Sequence, residues 1–168
     1  MNIRAMARCA LFAALMGVCA WLSIPTPTGV FSLQTFGLFL TLAVLGGRGG
    51  SLTCLVYLLL GAVGVPVFTG FQGGLGVLLG PTGGFIVGFL AASLTYWLLT
   101  ALKCKPLPAL FLALAVCYLF GAIWYKVLFP HTGWGGVAVA CILPYLIPDI
   151  LKLALAAALS KKLKRFLA

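Results

Sequence analysis

Acidic side chains are almost missing from this chain: Asp149 is the single aspartate or glutamate among 168 residues. Histidine is equally scarce, with His131 alone, on a turn beside Pro130. No carboxylate pair is available for acid/base catalysis, and no Ser/His/Asp set can be assembled in one site. The six cysteines (Cys9, Cys19, Cys54, Cys104, Cys117, Cys141) form no Cys-x-x-Cys pair and have no metal-site spacing to the histidine. They read as small apolar packing residues, and no metal is expected. Gly-Lys-Ser/Thr is absent and Gly74-x-Gly76 has no third glycine in place, so there is no phosphate loop and no ATP site. Charge is scarce too. Only 7% of residues are charged, against roughly 25% in soluble domains, so no water-compatible surface can be built.

What is present is hydrophobic: 64% of the residues. At about 20 apolar residues per crossing, six or seven spans is the ceiling. No soluble domain fits beside them, so any energising domain must be another polypeptide. The net charge of +10 does not point to nucleic acid, because the basic residues cluster at the ends of apolar runs. No ring of charge or filter repeat suggests a channel.

Glycine, proline and charge divide the chain into six spans, at residues 9–24, 33–45, 52–67, 82–102, 107–129 and 137–159. Pro25-Thr26-Pro27-Thr28-Gly29 ends the first, and Gly46-Gly47-Arg48-Gly49-Gly50 ends the second. The second is short enough to be tilted or partly re-entrant. Arg4 and Arg8 precede the first run as in a signal peptide. Val18, however, stands where a lipoprotein cleavage site before Cys19 needs a small residue, so the segment reads as a retained span. With the N-terminus inside, Arg4, Arg8, Arg48, Lys103, Lys105, Lys161, Lys162, Lys164 and Arg165 all become cytoplasmic. Lys126 lies near the outer end of the fifth span and Lys152 within the sixth. The expected fold is all-α, a single polytopic domain over residues 1–168 with both termini cytoplasmic.

Asp149 and Lys152 lie three residues apart on one face of the sixth span. An ionised group near a bilayer centre costs about 2.5–3.5 kcal/mol, so both should face the protein interior or a solvated cavity. A mutual salt bridge explains how the pair is tolerated. It does not explain its presence, since two leucines would be more stable. Pro144 and Pro148 suggest a broken helix, restarting at Pro148 with Asp149 in its first turn. Broken helices at membrane depth recur in solute sites; a plain kink is the alternative. A second unusual region, residues 68–84, mixes glycines with Phe71 and Gln72, is followed directly by Phe85, and is expected to re-enter the membrane from outside. In the first span, Ala10-x-x-x-Ala14 overlaps Ala13-x-x-x-Gly17, small-residue spacings that let another helix approach closely.

These residues carry a resemblance. Ala10-Leu-Phe-Ala-Ala14, Leu33-Gln34-Thr35-Phe36, the run from Tyr57 to Phe68, the block from Gly73 to Phe85 and Pro148-Asp149-x-x-Lys152 are similar, in order along nearly the whole chain, to the BioY family. BioY proteins are the biotin-binding S components of energy-coupling factor (ECF) transporters. The resemblance implies the six-helix S-component fold in a bacterial cytoplasmic membrane. Biotin would enter from outside, into a pocket lined by the fourth to sixth helices and capped by extracellular loops. Ala10 and Ala14 would dock on a transmembrane coupling subunit, and two cytoplasmic ATPases would use ATP on the chain's behalf. Asp149, an acceptor only, suits the ureido N–H groups of biotin; Lys152, a donor only, suits its carboxylate or its ureido oxygen. Phe31, Phe71, Phe85 and Tyr145 are expected to form apolar walls, and Gln34, Gln72 and Thr82 to offer neutral hydrogen bonds. Phe85 stands where a tyrosine is expected in many relatives, which removes one hydroxyl. The alternatives are an S component for thiamin or riboflavin, or a stand-alone, ion-coupled carrier with Asp149 as its proton site. A membrane enzyme lacks any catalytic set.

Overall fold

The path of the chain is governed by a few glycines that let apolar helices turn or touch. A computed structural model describes residues 3–26 and 29–167. Helix α1 (Ile3–Trp21) is followed by strands β1 (Ser23–Thr26) and β2 (Gly29–Ser32), then α2 (Gln34–Val63), α3 (Leu75–Leu79) and α4 (Gly83–Ala101). Helices α5 (Pro106–Leu128), α6 (Trp134–Cys141) and α7 (Leu143–Leu167) complete the chain. Five of these helices are long and apolar enough to cross a membrane: α1, α2, α4, α5 and α7.

Helix α2 is not one rod. Gly46 has φ 76° and ψ −178°, a conformation open essentially to glycine alone. On a continuous helix Gln34 and Tyr57 would lie about 34 Å apart, yet their side chains hydrogen-bond at 2.6 Å. Residues 34–45 and 47–63 therefore fold back on each other as an antiparallel hairpin. The expected glycine loop shrinks to one residue, and Arg48, Gly49 and Gly50 are helical. They are helical because glycine is needed there for contact: a Cβ on Gly47 would fall 2.5 Å from the Trp97 Cα of α4, and one on Gly50 3.2 Å from the Leu42 Cα.

The other ends follow from local chemistry. Gly64, at φ 110°, closes α2 with its N–H on the Gly61 carbonyl, while Val65 N–H reaches the Leu60 carbonyl. Pro106 opens α5 at a position where its missing N–H costs nothing. Helices α4 and α5 approach closely through glycines: a Cβ on Gly88 would meet the Cys117 carbonyl at 3.1 Å. Met16, Leu38, Phe39, Leu42, Phe68 and Leu153 are wholly enclosed between the helices. Outside, Phe111, Leu112, Leu119, Ile123 and Val127 of α5 are exposed, an apolar exterior suited to lipid.

Three sequence expectations are corrected. The first span ends at Trp21, and Ser23 pairs with Ser32 and Ile24 with Phe31 in an antiparallel hairpin that an all-α reading leaves out. Of the proline-rich terminator, Pro27 and Thr28 lie outside the described residues. The run expected at 137–159 is divided, but at Ile142, between α6 and α7, and not at Pro148. Pro148 lies inside α7, so Asp149 sits in the second turn and not among the free N–H donors of a helix start. The basic tail continues α7 as helix.

Candidate functional site

Four elements converge on the only acidic side chain. Asp149 of α7 is 4% exposed. Its Oδ1 accepts from Thr35 Oγ1 at 2.8 Å and from Lys152 Nζ at 2.9 Å; its Oδ2 accepts from the Tyr118 hydroxyl of α5 at 2.8 Å. Lys152 also donates to the Ser32 carbonyl at the end of β2, at 2.6 Å, and to Thr35 Oγ1 at 3.3 Å. Three partners match the three hydrogens of an ammonium, so both charges are fully served. Such saturation is what lets a buried pair persist. Apolar walls stand beside it: Phe31 packs on Tyr145 with ring centroids 5.0 Å apart, and Phe85 meets the Tyr118 ring edge-on at 6.3 Å.

The residues expected from sequence divide accordingly. Asp149, Lys152, Phe31 and Tyr145 are brought together, and Phe85 joins them through Tyr118. Gln34 precedes Thr35 in the chain but faces another network. Its Nε2 donates to the Tyr57 hydroxyl at 2.6 Å, its Oε1 accepts from Thr69 at 3.0 Å, and Tyr57 in turn donates to the Val67 carbonyl at 2.7 Å. This clasp ties the open end of the α2 hairpin to the loop that follows it. Replacing Tyr57 by Phe strands two buried groups and should cost about 1–3 kcal/mol. A thermal melt in detergent should then show a transition several degrees lower; an unchanged melt would dismiss the clasp.

Phe71 lies apart, stacked on Trp21 at 4.9 Å and 63% exposed. Gln72 and Thr82 line a separate open pocket of about 440 Å³ with Gly73, Gly76 and Pro81. Ala10 and Ala14 lie on the exposed face of α1, whereas Ala13 and Gly17 are buried, Gly17 against Val67. Of the two overlapping small-residue motifs, one faces outward and the other serves the chain's own packing.

Sequence reasoning missed Thr35, Tyr118 and the Ser32 carbonyl. Tyr118 carries a hydroxyl within a strongly apolar run, but hydroxyls of that kind are too frequent in membrane helices to single it out. The Ser32 contact is made by backbone and leaves no trace in residue identity. Among the described residues no group of three His, Cys, Asp or Glu is placed to hold a metal. What the arrangement offers is recognition: an acceptor and a donor of opposite charge, side by side in an apolar setting.

Residues 1–168 match the BioY family. Over 155 residues the chain is 39% identical to a probable biotin transporter BioY of Pyrococcus horikoshii, covering 92% of this chain and 93% of the relative. It is 36% identical over 168 residues to the biotin transporter BioY of Thermotoga maritima, covering 97% of each. In fold it is similar to a crystal structure of the S-component for biotin from an ECF-type ABC transporter. The TM-score is 0.86, with 98% of this chain and 95% of that one covered, at 22% identity.

Proposed function

The chain belongs to the BioY family, and on that premise we propose that it captures biotin from outside the cell and delivers it across the cytoplasmic membrane as the S component of an ECF transporter. The observation that carries this reading is the Asp149–Lys152 pair, set between α2, α5, α7 and β2 with aromatic rings beside it. Biotin presents two ureido N–H donors, which Asp149 can accept, and a carboxylate and ureido oxygen, which Lys152 can meet. Its thioether ring and alkyl chain find partners in Phe31, Tyr145 and Phe85. To bind, the ligand takes over hydrogen bonds that Thr35, Tyr118 and Ser32 now make, so capture is an exchange of partners and not the burial of bare charge. Phe71, Gln72 and Thr82 belong to the loops on the approach to the site, and Gln34 holds those loops through Thr69.

In this reading the two arms of α2 count as separate crossings, giving six with α1, α4, α5 and α7, and both termini are cytoplasmic by the positive-inside rule. The chain performs no chemistry on biotin. Energy comes from two ATPases, coupled through a transmembrane subunit that packs on the outward face of α1 at Ala10 and Ala14. Tryptophan in place of Ala14 should hold that subunit away while leaving the far side of α1 untouched. Co-purification with the coupling subunit and ATP-driven uptake should fall at least about tenfold, a loss of about 1.4 kcal/mol, with biotin affinity unchanged. Undiminished co-purification would remove α1 as the docking face.

The direct test is isothermal titration of the purified protein in detergent with biotin, thiamin and riboflavin. One-to-one heat with biotin alone supports the proposal. Silence with biotin and heat from another vitamin overturns it at the level of the ligand.

A further inference from the structure

One cavity lies away from Asp149 and has no place in biotin capture. It holds about 820 Å³ between α1, α2 and α4, within the roughly 300–1,000 Å³ typical of ligand sites. Its lining includes two arginines, Arg8 and Arg48. These residues are neighbours in space, because the next residue along from each, Cys9 and Gly49, are joined by a thiol-to-carbonyl contact of 3.7 Å. Behind them the walls are hydrocarbon, including Leu45, Leu52, Leu55, Leu90 and Leu94. Trp97, 42% exposed, stands at the edge.

One polar atom interrupts these walls. Ser51 is 6% exposed, and its Oγ is the one buried side-chain polar atom among the described residues that has no hydrogen-bond partner. An orphaned hydroxyl in an apolar wall is costly and calls for an acceptor. It sits one helical turn beyond Arg48, on the same face. Cation, donor and hydrocarbon thus share one lining. A phospholipid carries the counterpart of each: phosphate, ester carbonyl, acyl chain.

Charge selects the headgroup. With one acidic side chain, itself paired with Lys152, the protein carries a net charge of +10, which favours the anionic lipids of a membrane surface. Basic pockets between helices at the cytoplasmic surface suit acidic lipid headgroups. We propose that this cavity is a site for one anionic phospholipid, its phosphate between Arg8 and Arg48 at the level of Trp97, an ester carbonyl accepting from Ser51, and an acyl chain along the leucines.

Trp97 reports on the site directly. The protein would be reconstituted in vesicles of phosphatidylcholine into which either phosphatidylglycerol or phosphatidylcholine with brominated acyl chains is titrated. Bromine quenches indole emission only at short range, and a Trp97→Phe variant supplies the background of the other three tryptophans. The Trp97 signal should be half-quenched at a mole fraction of brominated phosphatidylglycerol at least about tenfold lower than of brominated phosphatidylcholine, equivalent to about 1.4 kcal/mol. In Arg48→Gln, a single change that leaves Arg8 in place, the preference should fall toward unity, while circular dichroism and elution confirm the fold. Equal quenching by the two lipids in the unmodified protein overturns the proposal. So does a preference that survives in Arg48→Gln, which would reflect the general positive charge of that membrane face. Retention of the preference in Ser51→Ala would remove the ester contact from the assignment.

Discussion

Asparagine at position 149 is expected to weaken biotin binding at least about 100-fold in isothermal titration, about 2.7 kcal/mol. The carboxylate receives three donors, from Thr35, Lys152 and Tyr118. An amide turns one of its two ends into a donor, which must then face either the Tyr118 hydroxyl or the Thr35–Lys152 side. Lys152 would be left as a buried charge without its counter-ion, and breaking such a pair by changing one member costs about 3–5 kcal/mol. A loss of binding through general unfolding would look similar, so a second variant is needed. Leucine at both 149 and 152 removes the charges together and so avoids a lone buried charge; the Tyr118 and Thr35 hydroxyls and the Ser32 carbonyl lose partners, and the melting transition should fall by less than in Asp149→Asn. If the doubly substituted protein stays cooperatively folded and binds no biotin, the pair is a ligand site. If it binds biotin as the parent does, the pair is structural and the proposed function loses its chemical basis.

A large effect on stability is also expected from a single methyl group at Gly47. Its Cβ would lie 2.5 Å from the Cα and 2.7 Å from the Cβ of Trp97. Backbone cannot swing aside as a side-chain tip can, so the α2 hairpin and α4 must separate. Overpacking of this kind costs about 1–3 kcal/mol. Gly47→Ala should therefore lower the melting transition in detergent by several degrees and shift the Trp97 emission. Gly46→Ala makes an instructive partner. There a Cβ meets nothing within 4 Å, and the penalty of about 1–3 kcal/mol arises from backbone conformation alone. It should lower stability without moving Trp97 emission. A Gly47→Ala protein with parental melting and emission would refute the close approach of α2 and α4.

The long helices were legible because glycine, proline and lysine punctuate the apolar runs: α4 and α5 lie within a residue of the expected 82–102 and 107–129 at each end. Legibility failed where one residue type serves two purposes. Glycines 46 to 50 suggested a loop, but only Gly46 turns the chain; Gly47 and Gly50 are there for helix contact. Proline misled in the same way. Pro144 sits in the first turn of α7, where no N–H is needed, and Pro148 is absorbed within the helix, so the break falls at Ile142, which carries no breaker signal. The β-hairpin was hidden by prolines at positions that read as a span terminator. At the site, Asp149 and Lys152 stood out by rarity alone. Thr35 and Tyr118 did not, because hydroxyls are frequent in membrane helices and only their distances to Asp149 distinguish them.

The hairpin in α2 has a consequence for how the chain enters a membrane during synthesis. Residues 34–45, at 1.5 Å each, extend about 18 Å, well short of a hydrocarbon core of about 30 Å. Alone, that arm leaves backbone ends and Gln34 in hydrocarbon as it emerges from the ribosome. Paired with residues 47–63 across Gly46, and clasped at the far end by Gln34 and Tyr57, it arrives with its amide already satisfied. The unit of insertion is thus the folded pair, and a nascent chain halted at residue 45 has too little helix to commit to the bilayer until its second arm is made.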